Sequence, residues 1–243
     1  MSQNIAPFPP FKWGWLSFDL GAYRPCDGTY CFYAYDSLPP LPIAPGRLNG
    51  SFRWLATPDD ATNTRMAVYR PSAEARSKDA QRLGELQREA NQLGLTFPAA
   101  FITLMQSQTL QDAIPSCTAC YFQLADHILP CPGRSGGYLI RFLHDQQDVL
   151  AWDLYLTPEG QHCVTVSPFD METLEDDIKR YPNTTLEQAL DNNAFVCAST
   201  FEEFIYRFWL ENTIWFNLNE SSGPVLTPEQ QQYLAHYSAG SAS

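Results

Sequence analysis

The spacing of apolar residues changes several times along the chain. From Ser72 to Leu93 they recur at three and four residues, with Leu83, Leu86, Ala90 and Leu93 on one face. Ser72 is placed to cap that helix and Gly94 to end it. In LGLTFPAAFITLM (93–105), Thr96 is a candidate cap, Pro98 suits a first helical turn, and Phe101, Leu104 and Met105 face inward. From Ala119 the pattern shortens. CYFQLA, GYLIRFLHD, DVLAWDLYLT and HCVTVSP lie between turn residues and read as strands, the last three as an antiparallel meander. The helical period returns in TTLEQALDNN, from near Thr185. It returns again at Phe201, Phe204, Ile205, Phe208 and Trp209, where Thr200 and Glu203 form a capping box. Between these two helices, FVCAS reads as a last strand or an extended link. Thr227 and Pro228 open a final short helix, and SAGSAS reads as a frayed tail.

The N-terminal part has a different texture. The proline-rich lead, residues 1–12, is expected to be poorly ordered or laid along the surface. Residues 13–20, 29–36, 51–57 and 65–70 read as strands. SLPPLPIAPGRLNG reads as linker, because its four prolines exclude a helix or a central strand. Three parts follow: a proline- and aromatic-rich β extension over 1–71, an α+β domain over 72–219, and a short helix with a frayed tail over 220–243. The fold class is α+β, with an antiparallel or mixed sheet and helices packed mainly on one side.

Composition narrows the function. The 243 residues are 44% apolar, enough for a substantial core. A net charge of -12, from 27 acidic and 15 basic side chains, repels nucleic acid and anionic membranes. The same charge would steer a basic protein partner. The N-terminus lacks a basic start followed by an apolar run, and no stretch approaches the length of a membrane span. A cytoplasmic protein is the expectation. The odd count of seven cysteines argues against a disulfide framework. Cys163 and Cys197 fit small buried hydrophobes. Cys117 and Cys120, followed by Cys131 with His127 nearby, have some metal-site character but not four paired ligands, so no metal or cofactor is expected.

Motifs of phosphate-binding loops, zinc hydrolases and serine hydrolases are absent from the sequence, and no catalytic activity is expected. The loop Gly133–Gly137 is the nearest thing to a phosphate cradle, and His144 with Asp145 the nearest to an acid–base pair. A small-ligand protein or an enzyme with a pocket near His144 and Gly136 is the alternative. The candidates for protein binding are of two kinds. Trp13, Trp15 and Tyr33 are aromatics of the type enriched in interface hot spots. Asp170, Glu172, Glu175, Asp176 and Asp177 form the densest acidic stretch.

Three segments also carry a likeness. LGLTFPAAFITLM has a leucine-glycine pair, a proline and a helix with a central aromatic. GYLIRFLHDQQDVLAWDLYLTPEG has Gly137 before the apolar run, Asp145 in the turn and Trp152 on the next strand. CASTFEEFIYRFWLEN follows as a closing helix. On these segments, residues from about 80 to 219 resemble the SUKH superfamily, which includes Smi/Knr-like cell-wall regulators and bacterial toxin-immunity proteins. The resemblance implies a non-catalytic α+β domain that binds other proteins through the groove and edges of its sheet. The role it implies is that of an immunity protein or a regulatory adaptor. The first 70 residues lie outside it.

Overall fold

A computed structural model describes residues 8–34, 43–44, 46–180, 184–219 and 225–238, without the Asp177 side chain. The expectations for the first seven residues, most of the proline linker and the SAGSAS tail lie outside the described residues. In chain order the elements begin with β1 (Lys12–Ser17), a short 3-10 turn (Gly21–Tyr23) and β2 (Cys31–Ala34). Four helices follow: α1 (Asp60–Ala67), α2 (Ala73–Gln92), α3 (Ala99–Gln106) and α4 (Gln108–Asp112). Next come β3 (Tyr121–Phe122), β4 (Leu129–Pro130), β5 (Tyr138–His144), β6 (Ala151–Leu156) and β7 (His162–Ser167). Then α5 (Leu174–Ile178), α6 (Leu186–Asn193), β8 (Phe195–Ala198), α7 (Phe201–Asn219) and α8 (Pro228–Ser238) complete the chain.

The strands form one mixed sheet in the order β2-β1-β8-β7-β6-β5-β3, with β4 also on β5. Every pairing is antiparallel except β1 with β8. The fold is α+β. Side chains alternate across the sheet. Trp152, Leu154 and Leu156 of β6 face the larger core with α2, α3, α7 and α8, while Tyr155 and Cys163 face a smaller cluster with α5 and α6. The aromatics of 93–105, 137–160 and 197–212 meet in the larger core. Phe101 lies 5.0 Å from Phe201 and 6.1 Å from Phe142, and Trp152 lies 6.3 Å from Phe204, ring centre to ring centre. These positions build the core.

Local signals explain most helix ends. Ser72 Oγ accepts from Ala75 N. After α2, Gly94 takes φ +71° and Leu95 N–H reaches the Ala90 carbonyl at 2.8 Å. Thr200 Oγ1 accepts from Glu203 N, but the Glu203 carboxylate turns to the amide and hydroxyl of Ser199 rather than to Thr200. Thr227 and Gln230 cap α8 reciprocally. Thr96 does not cap α3, whose cap position is Pro98.

The strands expected at 51–57 and 65–70 are not there. Residues 51–57 form turns and extended links, in which Trp54 packs on Tyr206 and Trp209 at 5.1 and 5.4 Å. Residues 65–70 belong to the end of α1 and the turn after it. Between them, Asp59 starts α1 by accepting from Thr62 N. Nor is the N-terminal part peripheral: β1 lies inside the sheet order, and Trp15, Phe18, Leu20 and Phe52 belong to the larger core. One cysteine expectation changes as well. Cys26 and Cys31 are joined by a disulfide, brought within 5.7 Å (Cα to Cα) by the turn after Gly21–Tyr23, while the other five cysteines are free. Among the described residues, no helix is long and apolar enough to cross a membrane.

The polar side of α7 is covered rather than solvated. Glu202 accepts from Gly50 N and Trp54 Nε1, and Asn212 accepts from Cys117 N. Glu211, 0% exposed, accepts from Ser17 Oγ at 3.0 Å, from Arg24 Nη2 at 2.5 Å and from Tyr233 OH. Arg207 stands 3.8 Å from the same carboxylate and lies over the Trp15 ring at 4.2 Å. β1, the segment after it, α7 and α8 are thus locked by one buried ionic network.

Candidate functional site

The other side of the sheet is less completely covered. The chain leaving β7 crosses that face at residues 168–172 before α5 begins, and it leaves a cleft against β5 and β6. The cleft has two compartments that share Arg141, Ala151, Phe169 and Asp170. The inner one is narrow, about 20 Å³, room for about one water molecule, and it reaches Asp153, His127 and Glu172. The outer one is open, about 420 Å³, and reaches Tyr121, Gln123, His144 and Asp148.

Strand register places the floor. Arg141 on β5 is the direct cross-strand neighbour of Asp153 on β6, and the pairing shifts by one residue just beyond Arg141. Asp153 is 3% exposed, and its Oδ2 has no hydrogen-bond partner among the described residues. The Arg141 guanidinium instead stands 3.5 Å from Asp170. Burial raises the Asp153 carboxyl to about 7, Arg141 opposes the rise, and Asp170 adds to it. His144 is 8% exposed, stacks on Tyr121 at 5.4 Å, and its Nε2 is also without a partner among the described residues. Burial, and then Arg141, lower its pKa to about 4, so the ring is neutral at pH 7. At the rim, His127 Nε2 lies 3.3 Å from Glu172 Oε1, and Asp170 Oδ1 accepts from Glu172 N.

The acidic stretch divides. Asp170 and Glu172 line the cleft. Glu175 and Asp176 are exposed on α5, with Asp176 paired to Lys179 at 2.6 Å, and the Asp177 side chain lies outside the described residues. The aromatics behave differently from a surface patch. Trp15 is 2% exposed and belongs to the core beside Phe204, so it is not open to a partner. Trp13 is half-buried against the smaller cluster. Tyr33 is half-buried beneath the Arg24 guanidinium.

The alternative pocket near His144 and Gly136 does not form as a unit. Gly136 precedes β5 and His144 ends it, so the two are roughly 25 Å apart along the strand. The glycine loop is tied down instead, Arg134 reaching Asp191 and the Pro10 carbonyl. His144 and Asp145 do not pair either. As strand neighbours they point to opposite faces, and Asp145 accepts from Tyr30 OH and Gln147 N. No serine, threonine or cysteine lines either compartment of the cleft. The cysteine trio is split by the sheet: Cys117 and Cys120 lie with the larger core and Cys131 with the smaller. Burial pushes the Cys131 thiol up to about 12.

Sequence reasoning missed Asp153 and Arg141. The available signal was an arginine and an aspartate on successive strands of the meander, one of them within the otherwise apolar run AWDLYL. Searches against family models, curated proteins and solved structures find no match for the chain. The SUKH resemblance therefore rests on the three segments themselves.

Proposed function

We propose that the protein is a non-catalytic interaction module that takes a basic protein partner along the acid-edged cleft on the second face of its sheet. The observation that carries this reading is the cleft itself: exposed carboxylates at its rim, over buried polar atoms that have no partner among the described residues, in a chain of net charge -12. Exposed acids of one sign raise the encounter rate with a basic partner. A sheet-side groove of this kind is where the SUKH resemblance implies binding, with toxin neutralisation or regulatory adaptation as the role. A cytoplasmic setting goes with five free thiols, while the Cys26–Cys31 bond is the one feature that favours an oxidising compartment.

The test is comparative capture from the native cell lysate, at low and high salt, with the wild type and with an Asp170→Asn, Glu172→Gln double variant. A basic protein held by the wild type at low salt, and lost both at high salt and in the variant, is expected. The same proteins held equally by the variant would overturn the cleft as the binding surface.

A further inference from the structure

We infer that the free outer edge of β3 takes one extended segment of the partner as a further strand of the sheet, with apolar and basic side chains alternating along that segment. This rests on the interaction reading above and deepens it, because the outer compartment of the cleft ends at the same edge. The sheet order leaves β3 at one end. A second recess, open and about 310 Å³, lies beyond that end and shares Tyr121 and Gln123 with the outer compartment. Its far wall is the turn after α1 and the start of α2, at Val68, Tyr69, Pro71 and Ala75. Val68 is 80% exposed and Tyr69 38%, an adjacent apolar pair open to solvent. β3 thus has room for a neighbour on its unpaired side.

The ladder tells which backbone groups face that space. Tyr121 and Phe122 pair with His144 and Leu143, and Gln123 N–H donates to the Phe142 carbonyl at 3.1 Å. Such bonds fall on alternate residues of an antiparallel pair. Tyr121 and Gln123 therefore bond inward, while Cys120, Phe122 and Leu124 turn their N–H groups outward. Two of these three are met within the chain. Cys120 N donates to Ser116 Oγ at 2.9 Å, and Leu124 N faces the Asp79 carboxylate. Phe122 N–H has no partner among the described residues, and Phe122 lines the recess. Folded proteins blunt the free edges of their sheets. Here the edge is stopped on both sides of one open position, and a guest residue opposite Phe122 can pair with it through its own N–H and C=O.

The side chains of a guest strand follow the same alternation. The residue opposite Phe122 points to the face of the larger core, as Phe122 does, and meets Val68, Tyr69, Pro71 and Ala75. An apolar side chain suits that place. Its neighbours point the other way, as Tyr121 and Gln123 do, into the outer compartment of about 420 Å³. That compartment carries Asp148 and Asp170, both exposed. Its arginine, Arg141, stands 3.5 Å from Asp170, and Asp148 has no ion pair among the described residues. A lysine or arginine on the guest complements that charge, and an acidic residue opposes it. In strand addition of this kind the main-chain bonds give affinity and the recesses for alternate side chains give selectivity.

The experiment is an amide NMR titration of the full chain with the peptide acetyl-Lys-Val-Lys-Ile-Lys-amide. A control peptide is N-methylated at its valine and isoleucine, so it keeps side chains and charge but loses those two donors. Saturable shifts at residues 68–71 and 119–124 are expected with the first peptide. At saturation the exchange of the Phe122 amide should slow about tenfold or more, and the N-methylated peptide should bind about tenfold more weakly. Val68→Ser and Asp148→Asn should each weaken binding about threefold. Both positions are exposed, and asparagine tolerates the φ of +54° at 148. Equal binding of the N-methylated peptide, an unslowed Phe122 amide, or unchanged binding in both variants would overturn strand addition, as would the absence of saturable shifts. Shifts confined to residues 168–172 would overturn the edge while leaving the cleft reading in place. Capture with the Asp170→Asn, Glu172→Gln variant judges that wider reading separately, because it needs no contribution from the outward Phe122 amide.

Discussion

Glu211, on the α7 side of the sheet, and Asp153, on the other, are buried to almost the same degree. Their surroundings differ in kind. Glu211 has donors from Ser17, Arg24 and Tyr233, with Arg207 alongside. Burial would raise its pKa, but Arg24 and Arg207 more than offset that and hold it below the usual range. Asp153 has one arginine across the strand, engaged with another carboxylate, and its own pKa is raised to about 7. The Glu211 carboxylate is satisfied within the chain, and its contacts tie the N-terminal part, α7 and α8 together. The Asp153 arrangement is incomplete within the chain and opens on a cleft. A satisfied buried charge serves the fold, whereas an unsatisfied one beside an opening marks a place for something else.

The largest effect expected from breaking this contrast is at Glu211. Glu211→Ala leaves two buried arginines without their carboxylate and should cost about 3–5 kcal/mol in urea unfolding. Loss well below that would mean the network is solvated. Asp153→Asn should act with the opposite sign. A carboxyl whose folded pKa is raised contributes stability that is fully present below its unfolded value and lost as pH rises through about 7. The variant should therefore match the wild type near pH 4 and exceed it at pH 8 by up to about 4 kcal/mol.

His144 sharpens the comparison further. Its pKa is lowered to about 4, so its contribution is present above the unfolded value near 6.5 and is lost as pH falls from there toward 4. Between those limits the two residues slope in opposite directions. His144→Gln should uncover a steady fall in stability with rising pH that the wild type masks, read from urea midpoints at half-unit intervals. Smaller again is the Asp170→Asn, Glu172→Gln pair. These rim residues should change stability by no more than about 0.5 kcal/mol while removing partner capture. Asp176→Ala, on the same acidic stretch but paired with Lys179 away from the cleft, should change neither the melting midpoint nor capture.

Periodicity carried much of the fold. The stripe at Leu83, Leu86 and Ala90, the stripe from Phe201 to Phe208, and the alternation through β5, β6 and β7 are local patterns, and each forms where its spacing puts it. What failed was decided by tertiary contact. Trp54 sits in a strand-like run but docks on α7 through its ring and its Nε1, so 51–57 pairs with no strand. Glu211 lies at the edge of the apolar stripe, seven residues after Phe204, and it is buried because β1 and α8 close over it. Half of the candidate site was visible as acid density at Asp170 and Glu172. Its floor was not, because Asp153 alternates with Trp152 and Leu154 like any outward residue of a half-covered strand. Only the crossing segment at 168–172, brought over that face by the turn after β7, makes it a buried group.

The most direct test is a carbon-13 NMR titration of the side-chain carboxyls from pH 3 to pH 9. Asp153 is expected to titrate near pH 7 while Glu211 titrates below the ordinary glutamate range. A midpoint for Asp153 near pH 4 would mean that it is solvated or already partnered, and would contradict the reading of the cleft as a site left for another molecule to complete.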